Sequence, residues 1–197
     1  MKRHYKKDYK KLILLSCLFL LNACALQPQS QLVQVAIDKN VYVSLPQPKQ
    51  LGRHINVSQL ISAQWDDKKT RDLLVQLEVD EQHVVLAGFS AWGVKLLSLT
   101  YSGDKIDSYV LTGLASTLPA PENILFNVML SIWPVEAWQA PLSRIGWTLK
   151  EKGLQRYLYD AQGKTVIRID YQRKPYLQGK IVFRDLRTNY SISIETN

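Results

Sequence analysis

From residue 53 onward, apolar and polar positions alternate with period two in short runs punctuated by turn residues. Leu73, Val75, Leu77 and Val79 alternate with Leu74, Gln76, Glu78 and Asp80, the pattern of a strand with one buried face. Asp66-Asp67-Lys68-Lys69 is the turn before it, and residues 54–65 and 83–89 read as its neighbouring strands. Residues 94–101 and 106–111 make a hairpin around Ser102-Gly103-Asp104, so five strands run as a meander. The alternation resumes over 146–151, 154–159, 165–172, 179–185 and 190–195, with turns at Lys152-Gly153, Asp160-Ala161-Gln162-Gly163 and Arg187-Thr188-Asn189. In the last run Tyr190, Ile192 and Ile194 alternate with Ser191, Ser193 and Glu195, which leaves one face wet.

Between the two sets the period changes. Over 121–133, Ile124, Leu125, Val128, Met129, Ile132 and Trp133 fall on one side of a helix, with Phe126 and Leu130 on the other. Only Asn123, Asn127 and Ser131 form a narrow polar stripe, so the helix is buried almost all round. Pro121 suits its first position, Glu122 complements its dipole and Pro134 stops it. A second short turn over 135–142 carries Trp138. About ten short strands around one apolar helical insert predict a mainly β fold. Its antiparallel, strongly curved sheet is closed or half closed as a barrel, with the helices as lid or plug on the concave side.

The N-terminus has a different logic. A basic segment over 2–11 and an apolar run over 12–21 lead to Leu21-Asn22-Ala23-Cys24, which reads as a signal peptide over 1–23, too short and wrongly flanked for a membrane span. Residues 24–52, rich in glutamine and proline, read as a tether that lays one short extended piece, Val41 to Leu45, on the domain over 53–197. Six of the 25 basic residues and one of the 17 acidic ones precede Cys24, leaving nineteen against sixteen, or +3 in place of +8. That argues against a nucleic-acid partner, which needs a basic stripe on the folded part. Cys17 and Cys24 leave no pair for a disulfide within the domain.

Leu21, Ala23 and Cys24 resemble the lipobox of bacterial lipoproteins, with Asn22 as a departure. The resemblance implies a diacylglycerol on the Cys24 thiol, an acylated amino group after cleavage and a lipid-anchored tether on the membrane. Ala25, in place of an aspartate, implies the periplasmic face of the outer membrane. The competing reading is an ordinary secreted protein with an incidental Cys24.

A second resemblance covers about residues 42–196. It rests on the order of Leu45-Pro46 with Leu51-Gly52, Leu77-Glu78-Val79-Asp80, Gly93-Val94-Lys95-Leu96, Leu99-Thr100-Tyr101-Ser102-Gly103, Trp133-Pro134, Gly146-Trp147 and Ile169-Asp170-Tyr171. This set is similar to an uncharacterised family of proteobacterial lipoproteins, often encoded beside fatty-acid-synthase-like genes for aryl polyene pigments. The layout is also similar to the Lol outer-membrane lipoprotein receptor and its periplasmic carrier, which implies an unclosed barrel holding acyl chains under a helical lid. By that likeness Ala87-Gly88-Phe89-Ser90-Ala91-Trp92-Gly93 is a loop whose Phe89 and Trp92 face membrane or ligand; the alternative is that both fold into the core.

Candidates for chemistry are sparse. His54 and His83 are the histidines beyond the signal, in no metal-binding spacing, and no serine or cysteine nucleophile motif occurs. The expectation is a non-enzymatic monomer without metal or cofactor. It binds an acyl or polyene-like molecule, or lipoprotein acyl chains, and assists their transfer at the outer membrane. The lid residues are Ile124, Leu125, Val128, Met129, Ile132 and Trp133, and lining positions include Leu97, Leu99, Ile167, Ile169, Ile181 and Phe183. The alternatives are a docking protein whose core is filled by its own helices and, more weakly, an acyl-ester hydrolase.

Overall fold

The computed structural model describes residues 32–65, 71–114 and 119–196. It opens on a hairpin of β1 (Gln34–Asp38) and β2 (Val41–Ser44), turning at Lys39-Asn40, where Asn40 takes the left-handed φ that asparagine tolerates. Val35, Ile37, Val43 and Leu45 are buried in the main core, and a 3-10 turn over Pro48–Leu51 adds Leu51 to it. The stretch expected as a tether through residue 52 therefore joins the domain from Val35 onward. Each strand of the hairpin buries only one or two residues, too short a pattern to stand out against glutamine and proline.

The alternating runs form ten further strands: β3 (Ile55–Trp65), β4 (Arg71–Val79), β5 (Val84–Phe89), β6 (Lys95–Tyr101), β7 (Ile106–Val110), β8 (Thr148–Lys152), β9 (Gln155–Tyr159), β10 (Thr165–Tyr171), β11 (Lys180–Asp185) and β12 (Tyr190–Thr196). All pair antiparallel in the order β7-β6-β5-β4-β3-β12-β11-β10-β9-β8. The chain thus makes two meanders, joined where β12 lies against β3 from Tyr190↔Trp65 to Thr196↔Gln59. β7 and β8 remain edges, so the sheet is not closed into a barrel. The period-two faces are as expected: Val75, Leu77 and Val79 are at most 1% exposed, while Leu74 is 44% exposed.

Two helices cover the inner face, α1 (Pro121–Ile132) and α2 (Val135–Ser143). Leu125, Met129, Leu130, Trp133 and Trp138 are fully buried, and Phe126 meets Trp138 edge-on at 5.6 Å. The N-terminal segment is sewn to sheet and helix by side-chain donors. Tyr101 Oη, with one proton to donate, lies 3.1 Å from Pro46 O, 3.2 Å from Gly103 O and 3.4 Å from Leu45 O, and Trp133 Nε1 donates to Gln47 O at 3.1 Å. Burial pushes the Tyr101 phenol far above its ordinary pKa, so it remains a donor.

Leu45→Ala tests whether this segment is core. It should destabilise the domain by about 2–5 kcal/mol in denaturant unfolding, whereas a surface or tether residue changes stability by no more than about 0.5 kcal/mol.

Candidate functional site

The site is built around the end of α1. The last carbonyls of a helix lack partners within it, and here other elements supply them. Arg156 on β9 is 2% exposed and donates from Nη1 to Leu130 O at 3.0 Å and to Trp133 O at 2.6 Å. Tyr171 Oη on β10 donates to Ser131 O at 2.6 Å, and Trp138 Nε1 to Met129 O at 3.4 Å. The guanidinium is paired through Nε with Glu151 at 2.9 Å and covered by the Tyr176 ring at 4.6 Å, so its buried charge is compensated. Lys174 holds the other oxygen of Glu151 at 2.7 Å. At the opposite end Ala120 provides no side-chain cap. One end of α1 is clamped by charge and side-chain hydrogen bonds; the other has no side-chain cap.

Beneath α1 is a cavity of about 180 Å³. Its walls come from six neighbouring strands, β6, β5, β4, β3, β12 and β11, so the sheet curls around it. Leu73, Val75, Leu86 and Ile192 are typical of the lining, which is apolar except for Asp72, Asn127, Ser131 and the Tyr190 ring. Gly88 is what lets two walls meet. A Cβ there would stand 2.9 Å from Leu73 Cδ2 and 3.1 Å from Leu97 Cγ.

The structure sorts the residues expected to form the site. Ile124 and Val128 line the cavity from the helix, as do Leu97 and Phe183 from the sheet. Leu125 and Met129 instead pack helix against sheet, Ile132 faces a separate polar groove beside Arg156, and Trp133 anchors Gln47. Leu99, Ile169 and Ile181 are plain core, and Ile167 borders an adjoining cleft. Arg156 escaped the sequence reading, although one signal was present. It falls in phase with Leu158, on the buried side of β9, where a charge needs a partner.

Phe89 and Trp92 part company. β5 extends through Phe89, and only Ser90-Ala91-Trp92-Gly93 turns, closed by Gly93 N to Ser90 O and Ser90 N to Val94 O at 2.9 Å. The Ser90 hydroxyl accepts from the amides of Trp92 and Val94, and Gly93 supplies the left-handed φ of 76°. Trp92 is thereby presented at the tip, 92% exposed. Phe89 is half-buried on the outer face in one row with Leu74 and Leu60. Neither lines the cavity.

Cys24 lies outside the described residues. Among those described, no helix is long and apolar enough to cross a membrane, and no group of three potential ligands could hold a metal ion. His83 sits 3.6 Å from Asp80 in a turn.

Fold and site together define an open antiparallel half-barrel with a small apolar cavity under a helix pinned at one end. Residues 56–197 match the family described as protein of unknown function (DUF3261), and the chain belongs to that family. No curated protein matches it in sequence. Among solved structures it is similar to the LolA superfamily protein NE2245 from Nitrosomonas europaea, with a TM-score of 0.44 and 8% identity over 78% of this chain and 92% of that one. It is also similar to a DUF1329 family protein from Desulfovibrio piger, with a TM-score of 0.36 and 8% identity over 76% and 87%.

The clamp carries a pH signature. Burial raises the pKa of Glu151, but hydrogen bonds from Lys174, Tyr176 and Arg156 outweigh it and hold the carboxyl below its ordinary range. A depressed folded-state pKa stabilises above the unfolded value, near 4.3, and that stability is lost as the pH falls through the folded one. Glu151→Gln should lower stability at pH 7 by about 3 kcal/mol. The gap from wild type should begin to narrow near pH 5 and close only as the pH falls below the folded-state value, measured by urea unfolding.

Proposed function

We propose that the chain is a non-enzymatic, lipid-anchored protein of the outer membrane's periplasmic face that takes an acyl or polyene-like hydrophobic molecule into the cavity under α1 and assists its transfer. The observation that carries this reading is the cavity itself, apolar on walls drawn from six strands and a helix. Holding such a molecule requires only burial of apolar surface, at roughly 25 cal/mol per Å². The anchor rests on the sequence around Cys24, and the polyene on the family resemblance.

Size determines how the cavity works. A cavity of about 180 Å³ compares with about 150 Å³ for an engineered site that takes up benzene and about 300–1,000 Å³ for ordinary ligand pockets. It is the closed form of a larger one. Loading a whole chain requires α1 to swing, and the clamp at Arg156 and Tyr171 makes its C-terminal end the pivot. The uncapped end at Ile124 then lifts from Leu97 and opens the cavity. Trp92 and Val94, both exposed at the β5–β6 turn, with the outer row of Leu60, Leu74 and Phe89, supply the surface that meets the bilayer during exchange.

One observation favours a second reading, a docking protein with a self-filled core: Leu125, Met129 and Leu130 already occupy much of the concave side. The two readings separate on titration of the full chain, carrying Cys24→Ser, with the neutral fluorescent polyene diphenylhexatriene. A carrier shows saturable binding that Val128→Phe weakens at least tenfold with the unfolding midpoint held, because the added ring enters empty space. A self-filled protein shows no saturable binding.

Trp92→Ser should leave affinity for diphenylhexatriene unchanged. It should slow transfer of the dye from protein to phosphatidylglycerol-containing vesicles several-fold, followed by energy transfer to a membrane acceptor.

A further inference from the structure

The cavity does not end at its apolar walls. Pro119, Asn127 and Tyr190 also border a second, more open cleft of about 580 Å³, set between the β1–β2 hairpin, the first turns of α1 and the β11–β12 turn. Its polar walls include Asp38, Asn123, Asp185 and Arg187. We infer that the cargo is an amphiphile with an uncharged hydrogen-bonding headgroup, such as a glycerol ester, an amide or an alcohol, its tail in the cavity and its headgroup in this cleft against Asn127. This rests on the proposed binding of a hydrophobic molecule and narrows it to one chemical class.

The charges of the cleft are already spent on each other. Arg187 donates from Nε and Nη2 to the two oxygens of Asp185 at 3.0 and 2.6 Å, and from Nη1 to Asp38 at 3.0 Å and Ile37 O at 2.7 Å. This ties the hairpin to the β11–β12 turn and engages four of the five guanidinium donors within the protein, its charge matched by two carboxylates. Within the cleft two carboxylates, Asp38 and Asp185, face one guanidinium, so the described surroundings repel an anion. Both aspartates of the cleft are engaged by Arg187, so a cationic headgroup gains no unpaired carboxylate.

The amides are differently placed. Asn127 is half-buried at the neck shared by cavity and cleft, and Asn123 stands one turn toward the rim. Among the described residues neither side-chain amide has a hydrogen-bond partner; the bond at Asn127 is from the Ser131 hydroxyl to its backbone carbonyl. An asparagine amide offers two donors and an acceptor, matching hydroxyl and amide groups, which donate and accept, and ester groups, which accept. A polar stripe along an otherwise apolar helix thereby marks the level where a tail ends and a headgroup begins.

The test uses the full chain with Cys24→Ser, loaded with diphenylhexatriene and titrated, below their micelle concentrations, with three ligands sharing a twelve-carbon chain: monolaurin, laurate and dodecyltrimethylammonium. Monolaurin should displace the dye at a concentration at least tenfold lower than either charged ligand. Asn127→Leu should weaken monolaurin at least fivefold while leaving dye affinity and laurate unchanged. Asn127→Asp, closer in shape, should shift preference toward dodecyltrimethylammonium. Laurate or dodecyltrimethylammonium matching monolaurin, or indifference of monolaurin to Asn127→Leu, overturns the headgroup assignment alone. A dye that never binds overturns the cavity reading with it.

Discussion

The architecture depends on one buried charge. Arg156 carries a guanidinium out of water on the inner face of a strand, a placement that is costly unless every donor finds an acceptor. Its Nε finds Glu151 and its Nη1 finds the buried carbonyls of Leu130 and Trp133 where α1 ends, so the need of the charge and the need of the helix terminus are met by the same bonds. Tyr171, from the next strand, closes a further carbonyl. Without this joint an apolar helix would have only non-directional packing to fix it on a curved sheet; with it, one end has a defined seat. The other end, uncapped, borders both the cavity and the cleft.

A second seam follows the same principle. Leu45-Pro46-Gln47 crosses from the hairpin toward the sheet, and its carbonyls are taken by Tyr101 and Trp133. Several residues that made the chain resemble a known family are thus bonding partners across the fold: Pro46 with Tyr101, and Trp133 and Tyr171 at the helix terminus. Their order along the chain records a shared scaffold, which explains why none of them looks catalytic.

The strands were legible because half-buried antiparallel strands write their two faces directly into alternate residues, as in β4 and β12. The helix was legible from its prolines and its spacing. The β1–β2 hairpin was not, since it buries few residues per strand and gains its place from long-range bonds such as Arg187 to Ile37 O. Which helix residues line a cavity and which merely pack was also beyond periodicity. Leu125 and Val128 belong to one apolar face, yet only Val128 meets the empty space. Asn127 looked like part of a narrow wet stripe, and its position at the neck of the cavity depends on how far the sheet curls. Trp92 was ambiguous in sequence because an aromatic in a turn can fold inward; the Ser90 hydroxyl bonds set it outward.

In the proposed carrier, the joint at Arg156 is the hinge end of α1 and the end without a side-chain cap is the one that opens. The most direct test is native mass spectrometry, with extraction and identification of bound lipids, on the full-length chain purified from its own host. The account predicts one neutral amphiphilic or polyene-like molecule per chain, lost when Val128→Phe fills the cavity. A folded chain that is consistently empty in that host would contradict it.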